Sequence, residues 1–239
     1  MKKSAAFRAG QEASAAGNWR VSPRDYTAPS KEWADWYRGF DADDGSEFHY
    51  QCDMFEILGE GWDLMIAHPS CTYLTNSAAW AYGDGPYHQR VKEGTLVGEA
   101  RREARREALI FVKRLMDAPI PMIAIENPVG AISTNIKQPS QYIQPFDFGE
   151  DASKKTGLWL KGLPPLEPTG YIEPRVVGYT PAGKEIQRWA NQTDSGQNKL
   201  TPSANRWKER SKTYQGWAVA MAEQWTAYAM TIPYGRRAI

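Results

Sequence analysis

Cys71 and Glu126 each stand where a short apolar run ends. Leu64-Met65-Ile66-Ala67 leads into His68-Pro69-Ser70-Cys71, and Pro121 to Ile125 leads into Glu126-Asn127-Pro128. A thiol delivered just past a buried strand is placed where a nucleophile is needed. A carboxylate in the same kind of place is desolvated, which raises its pKa and lets it hold a proton near neutrality. On this reading Cys71 is a nucleophile and Glu126 an acid. Each also has a plainer reading: a lone cysteine commonly serves as a small buried apolar side chain, and Glu-Asn-Pro can simply terminate a strand.

Two such residues can cooperate only if their strands are neighbours that end at one edge. That is the arrangement of an α/β sheet, whose ligands bind at the carboxyl ends of the strands. From Phe48 onward the pattern supports it. A helix is expected at Met54 to Leu58 and a strand at Leu64 to Ala67. A polar and aromatic loop with Asn76, Trp80, Tyr82, Gly83, Gly85 and Pro86 follows. A long helix from about Leu96 to Met116 carries Val97, Ala104, Ala108, Phe111, Val112 and Leu115 on one face. Its other face carries Arg101, Arg102, Arg105, Arg106, Lys113 and Arg114, read either as a solvated surface or as a phosphate-binding one. A second strand follows at Pro121 to Ile125. After Pro128 the chain is loop-rich, with strand-like Gly157 to Lys161 and Val176 to Tyr179, and it ends in a helix from about Tyr214 to Tyr228.

The chain of 239 residues has room for one sizeable α/β domain and a small appendage. Its net charge of +1 supplies no global field toward nucleic acid. Ten tryptophans and sixteen prolines point to stacking platforms and ordered loops rather than a helical bundle. No signal-peptide pattern and no membrane-length apolar run are read, so a reducing, cytoplasmic location is expected, without a membrane partner. A disulfide between Cys52 and Cys71 is the less favoured state of the two cysteines. Three histidines without Cys/His spacing give no zinc pattern.

Residues 1–46 differ in character. Ala6, Gly10, Ala13 and Gly17 are followed by Pro23, Tyr26, Trp33, Trp36, Gly39 and Phe40, a pattern for two closely packed short helices. It resembles the ribosome modulation factor family, with its spaced Ala and Gly, Pro/Tyr turn and Trp-x-x-Gly-aromatic helix. The resemblance implies a ribosome or RNA contact; the residues alone are equally satisfied by a helical hairpin docked on the main domain.

Residues 47–239 form the second expected domain, and from about Phe48 to Trp225 it resembles the cytosine-C5 DNA methyltransferases, in particular their small phage and prophage members. His68-Pro69-Ser70-Cys71-Thr72-Tyr73-Leu74 is similar to the nucleophile loop and Ile125-Glu126-Asn127-Pro128 to the acid motif. Gln144-Pro145-Phe146-Asp147-Phe148-Gly149 with Lys154-Lys155-Thr156-Gly157-Leu158-Trp159-Leu160 is similar to the next loop and strand. Arg210-Ser211-Lys212-Thr213-Tyr214-Gln215-Gly216 is similar to the segment that closes the cofactor pocket. The resemblance implies a mostly parallel, Rossmann-like sheet flanked by helices, with a loop-rich C-terminal part for target recognition. It implies S-adenosyl-L-methionine as cofactor, contacted by Asp53, Asn127 and Gly216, and DNA as partner. It makes Cys71 the thiolate that adds to cytosine C6, Glu126 the group on N3 and the amine, and Lys155 a cation beside the thiolate. Because the base must leave the duplex, Trp80, Tyr82 and the polar loop after Cys71, with Asn76, are assigned to the flipped base, and His68, Arg206 and Arg210 also to substrate binding.

This chain departs from the family at two places. The strand and glycine-rich turn that open the family are absent, with residues 1–46 in their place, so an unconventional cofactor site or a partner protein that completes it is expected. Ser70 stands where the family has proline, which removes a constraint on the nucleophile loop. Three functions remain: a DNA cytosine-C5 methyltransferase, a degenerate domain that binds nucleic acid without chemistry, and an enzyme that transfers a different one-carbon group to cytosine.

Overall fold

The computed structural model describes residues 53–201, 203, 210 and 213–232. The expected N-terminal module over 1–46, Cys52 and Arg206 lie outside the described residues.

The chain divides into two compact units. The first comprises Met1–Ile57, Arg90–Thr95 and Pro202–Lys212. Among the described residues it holds the short helix α1 (Met54–Ile57). Asp53 starts it as a cap residue does, its carboxylate accepting from the Phe55 amide at 2.9 Å.

The second unit comprises Leu58–Gln89, Leu96–Thr201 and Thr213–Ile239 and holds a mixed α/β fold. In chain order its elements are β1 (Leu64–Ala67), α2 (Gly98–Met116), β2 (Met122–Pro128), α3 (Ala131–Asn135), β3 (Gln141–Ile143), β4 (Thr156–Lys161), β5 (Arg175–Tyr179), β6 (Glu185–Arg188) and α4 (Gln215–Thr231). Four strands form a sheet in the order β1-β2-β4-β3, and β5 and β6 pair as a separate ribbon. The expectation of a mostly parallel sheet is corrected. Of the three strand pairings in this sheet only β1–β2 is parallel, while β4 pairs antiparallel with both β2 and β3. The physical reason is connection length: β1 and β2 are joined through the long helix α2, as a parallel pair requires, whereas no such helix separates β2, β3 and β4.

β2 is an inner strand of the sheet, and nearly all of it is buried. Ala124 belongs to a core cluster with Leu158, Phe148, Trp217, Met221 and Trp225 that fixes α4 on the sheet. Ile123 and Ile125, on the opposite face by strand alternation, are buried as well. A strand covered on both faces reads as a continuous apolar run, which explains Met122 to Ile125. Burying a whole indole is worth roughly 5 kcal/mol of transfer free energy, so Trp217 and Trp225, each about fully buried, outweigh anything the helical propensity of α4 supplies.

α2 carries its own surface pairs, Glu99 with Arg102 and Arg106, Glu103 with Arg106, and Lys113 with Asp117, and buries Val112 and Leu115. It stops at Asp117, two residues before Pro119, which cannot continue a helix. Among the described residues no helix is long and apolar enough to cross a membrane.

Candidate active site

The register of β1 on β2 brings the two chemical residues to one place. Leu64 pairs with Met122 and Ala67 with Ile125, so His68, just past the end of β1, comes beside Glu126, which is still within β2 and paired with Leu158 of β4. His68 Nδ1 lies 3.0 Å from Glu126 Oε2. One position further, Asn127 Nδ2 donates to the Pro69 carbonyl at 2.8 Å. The Cys71 loop is thus tied to the strand end that carries Glu126 by two consecutive residues.

Glu126 is mostly enclosed, with 13% of its side chain exposed against 42% for His68. Its Oε1 is buried and has no hydrogen-bond partner among the described residues, and the same holds for Asn127 Oδ1. Each is an acceptor whose desolvation, about 1–3 kcal/mol when uncompensated, is relieved by a donor from a ligand or solvent.

Cys71 is exposed. Its carbonyl accepts from the amides of Leu74 and Thr75 at 3.1 and 3.0 Å, closing one tight turn directly after the thiol. The other carbonyls of the turn are also taken. Arg101 Nη2 reaches Thr72 O at 3.4 Å, and Arg105 donates through Nε to Tyr73 O at 2.8 Å and through Nη2 to Thr75 O at 3.1 Å. Tyr82 adds a second donor to Tyr73 O at 2.9 Å, and the Ala131 amide binds Leu74 O at 2.6 Å. Gly130 permits that last contact, because a methyl group at its Cα would be driven into the Leu74 carbonyl.

These bonds correct the reading of the basic face of α2 as free for phosphate. Arg101 is only 6% exposed. Arg102 donates to Tyr82 O at 2.6 Å and pairs with Asp84 at 2.8 Å, and Arg105 is engaged as described. The expected stacking role of Tyr82 is corrected likewise. Its ring lies 4.8 Å from the Arg101 guanidinium and 3.6 Å from that of Arg105. Burial pushes the Tyr73 phenol above its ordinary value, against the opposing pull of Arg101.

The remaining expected residues are placed as follows. Asn76 is exposed, and Trp80, half-buried in a short 3-10 turn, meets Tyr87 and His88 edge-on. Lys155 is exposed and sets its ammonium 4.2 Å from the centre of the Tyr142 ring. Asp53 and Arg210, both exposed, belong to the first unit, and Cys71, Glu126 and Gly216 to the second. Gly216 opens α4 with its amide bound to Glu150 Oε1 at 3.1 Å and with no room for a Cβ beside the Phe148 carbonyl. Close packing therefore accounts for this glycine without a cofactor. Of the three residues assigned to a cofactor, Asp53 belongs to the other unit and caps its short helix, and Asn127 offers a buried acceptor without a partner among the described residues, so the fit within this unit is partial.

Arg101, Arg105 and Tyr82 are the residues of the site that sequence reading assigns elsewhere. Their signal is present, since Arg101 and Arg105 stand one helical turn apart. Compared with protein-family models, curated proteins and solved structures, the chain matches none at a significant level.

Proposed function

We propose that this chain is a DNA cytosine-C5 methyltransferase of Rossmann-like ancestry. The observation that supports it is the buried Glu126 carboxylate, one oxygen facing His68 and the other without a partner, on the strand end that Asn127 ties to the Cys71 loop.

Cytosine C5 becomes nucleophilic only after addition at C6. The Cys71 thiolate adds to C6 of a cytosine flipped out of the duplex, and the electron pair moves to C5. Glu126 lends its proton to N3 and accepts from the exocyclic amine, which neutralises the charge developing on the ring. His68 holds the carboxylate through Oε2, leaving Oε1 for the ring edge. S-adenosylmethionine, when bound, supplies an electrophilic methyl group. Asn127 is the residue of this unit that would hold it, with the missing glycine-rich turn supplied unconventionally or by a partner protein. Once C5 carries the methyl group, its proton passes to water, Cys71 departs from C6, and N3 returns its proton to Glu126.

The alternative, a protein that binds nucleic acid without chemistry, rested on the basic face of α2 and on the tail Arg206, Lys208, Arg210 and Lys212, of which only Arg210 is among the described residues. Arg101, Arg102 and Arg105 are committed to backbone carbonyls, which favours the enzyme. The test is nucleoside mass spectrometry of DNA from a host without its own cytosine methylation, expressing the wild type or Cys71→Ala. Methylcytosine in the wild type alone is the expected result. A heavier cytosine derivative would identify a different one-carbon group, and unmodified cytosine in both, with folded protein, would overturn the methyltransferase.

A further inference from the structure

We propose that Arg105, assisted by Tyr82, is a positioning residue that supplies from outside the stiffness the Cys71 loop lacks within itself; the inference rests on Cys71 being the nucleophile. Ser70 leaves the backbone before Cys71 without the fixed φ of a proline. Its own side chain reaches only Thr72 Oγ1, at 3.2 Å. Such a loop must be held by its carbonyls, and Arg105 takes two of them with one planar fork, at Tyr73 and Thr75. Those two carbonyls flank Leu74, the residue whose amide closes the turn onto Cys71 O. Fixing both sides of Leu74 therefore fixes where Cys71 begins.

Tyr82 makes the fork rigid. Its ring lies 3.6 Å from the guanidinium and its hydroxyl donates to the same Tyr73 oxygen as Arg105 Nε. Ring, guanidinium and carbonyl thus lock one another. A lysine at 105 would keep the charge but could not present two fixed donors in one plane. On the far side of the loop the Asn127–Pro69 bond ties it to the strand end of Glu126. Arg105 sets the position of the thiol relative to the carboxylate and touches neither substrate nor reacting atoms.

The experiment compares the wild type with Arg105→Lys and Tyr82→Phe, using steady-state kinetics with S-adenosylmethionine and a cytosine-containing duplex. Amide hydrogen exchange is followed in the same proteins. A nucleophile displaced by about 1 Å costs up to about a hundredfold in rate, so kcat of Arg105→Lys is expected to fall about tenfold to a hundredfold. KM for the duplex is expected to stay within about twofold, and the Leu74 and Thr75 amides to exchange at least about tenfold faster. Tyr82→Phe, which leaves the fork in place, should shift both readings the same way by less, and it carries the test if Arg105→Lys does not fold. Unchanged kcat, or a raised KM with unchanged kcat and a weaker salt dependence, would overturn the proposal, the second by making Arg105 a phosphate contact. A wild type that methylates nothing would overturn the proposed function, while the exchange comparison would still decide the clamp.

Discussion

Between Pro69 and Thr75 the backbone is held by side chains donating into its carbonyls, whereas α4 is held by Trp217, Met221 and Trp225 sinking into the core around Leu158 and Phe148. The two regions share one sheet but use forces of different kinds. Apolar burial is large and has no direction. A single hydrogen bond contributes only about 1 kcal/mol net, yet it fixes an angle and a distance. The α4 region should therefore set how stable this unit is, and the loop should set where its chemistry happens. Substitutions in the two places should separate in their effects.

The largest expected effect is on the stability side. Trp225→Ala removes an indole about fully buried whose Nε1 donates to Pro164 O at 3.0 Å, and should cost about 3–5 kcal/mol in a denaturant titration. The comparison breaks if exchange at Leu74 and Thr75 rises under native conditions as much as exchange within α4. An intermediate effect belongs to the loop. Gly130→Ala forces a methyl group against the Leu74 carbonyl and should cost about 1–3 kcal/mol. Its loss of methyl transfer, measured at a temperature where both variants are folded, should exceed that of Trp225→Ala. Equal losses would mean that position and stability are not separable here.

The smallest effect lies on the exposed face of α2, outside both regions. Hydrogen bonds from Arg106 and then Arg102 hold the Glu99 carboxyl below its ordinary value of 4.5. A lowered folded pKa gives stability that is present above the ordinary value and lost as pH falls through the folded one. The Tm difference between wild type and Glu99→Gln should therefore be constant above about pH 4.5 and shrink below it. A difference that grows with acidity would contradict the sign.

What the sequence made legible was the pair of strand ends. Leu64 to Ala67 and Met122 to Ile125 are short apolar runs bounded by Pro-containing turns, and the polar residue after each is a local feature. Helices α2 and α4 were legible for the same reason, from periodicity and length. β3 and β6 are three and four residues long and too short to carry a period, so the antiparallel half of the sheet and the separate ribbon could not be assembled from pattern. The clamp was illegible for a different reason. Arg101 and Arg105 fall on the polar side of a helical wheel, and polarity alone cannot distinguish a guanidinium facing solvent from one that reaches a carbonyl 29 or 32 positions earlier in the chain. The nucleophile loop departs from proline at Ser70, and only the contacts from α2 reveal what replaces that stiffness.

The bond from the Ala131 amide to Leu74 O has a mechanical meaning. It stitches the loop following β1 to the turn following β2, and Thr75 bridges Gly130 beside it. The two lips of this rim are thereby joined by backbone bonds. They are coupled, so an outward swing of the thiol-bearing lip drags the start of α3 with it. Admission of a base would therefore move both lips together, and exchange at the Leu74 and Ala131 amides should rise and fall in step.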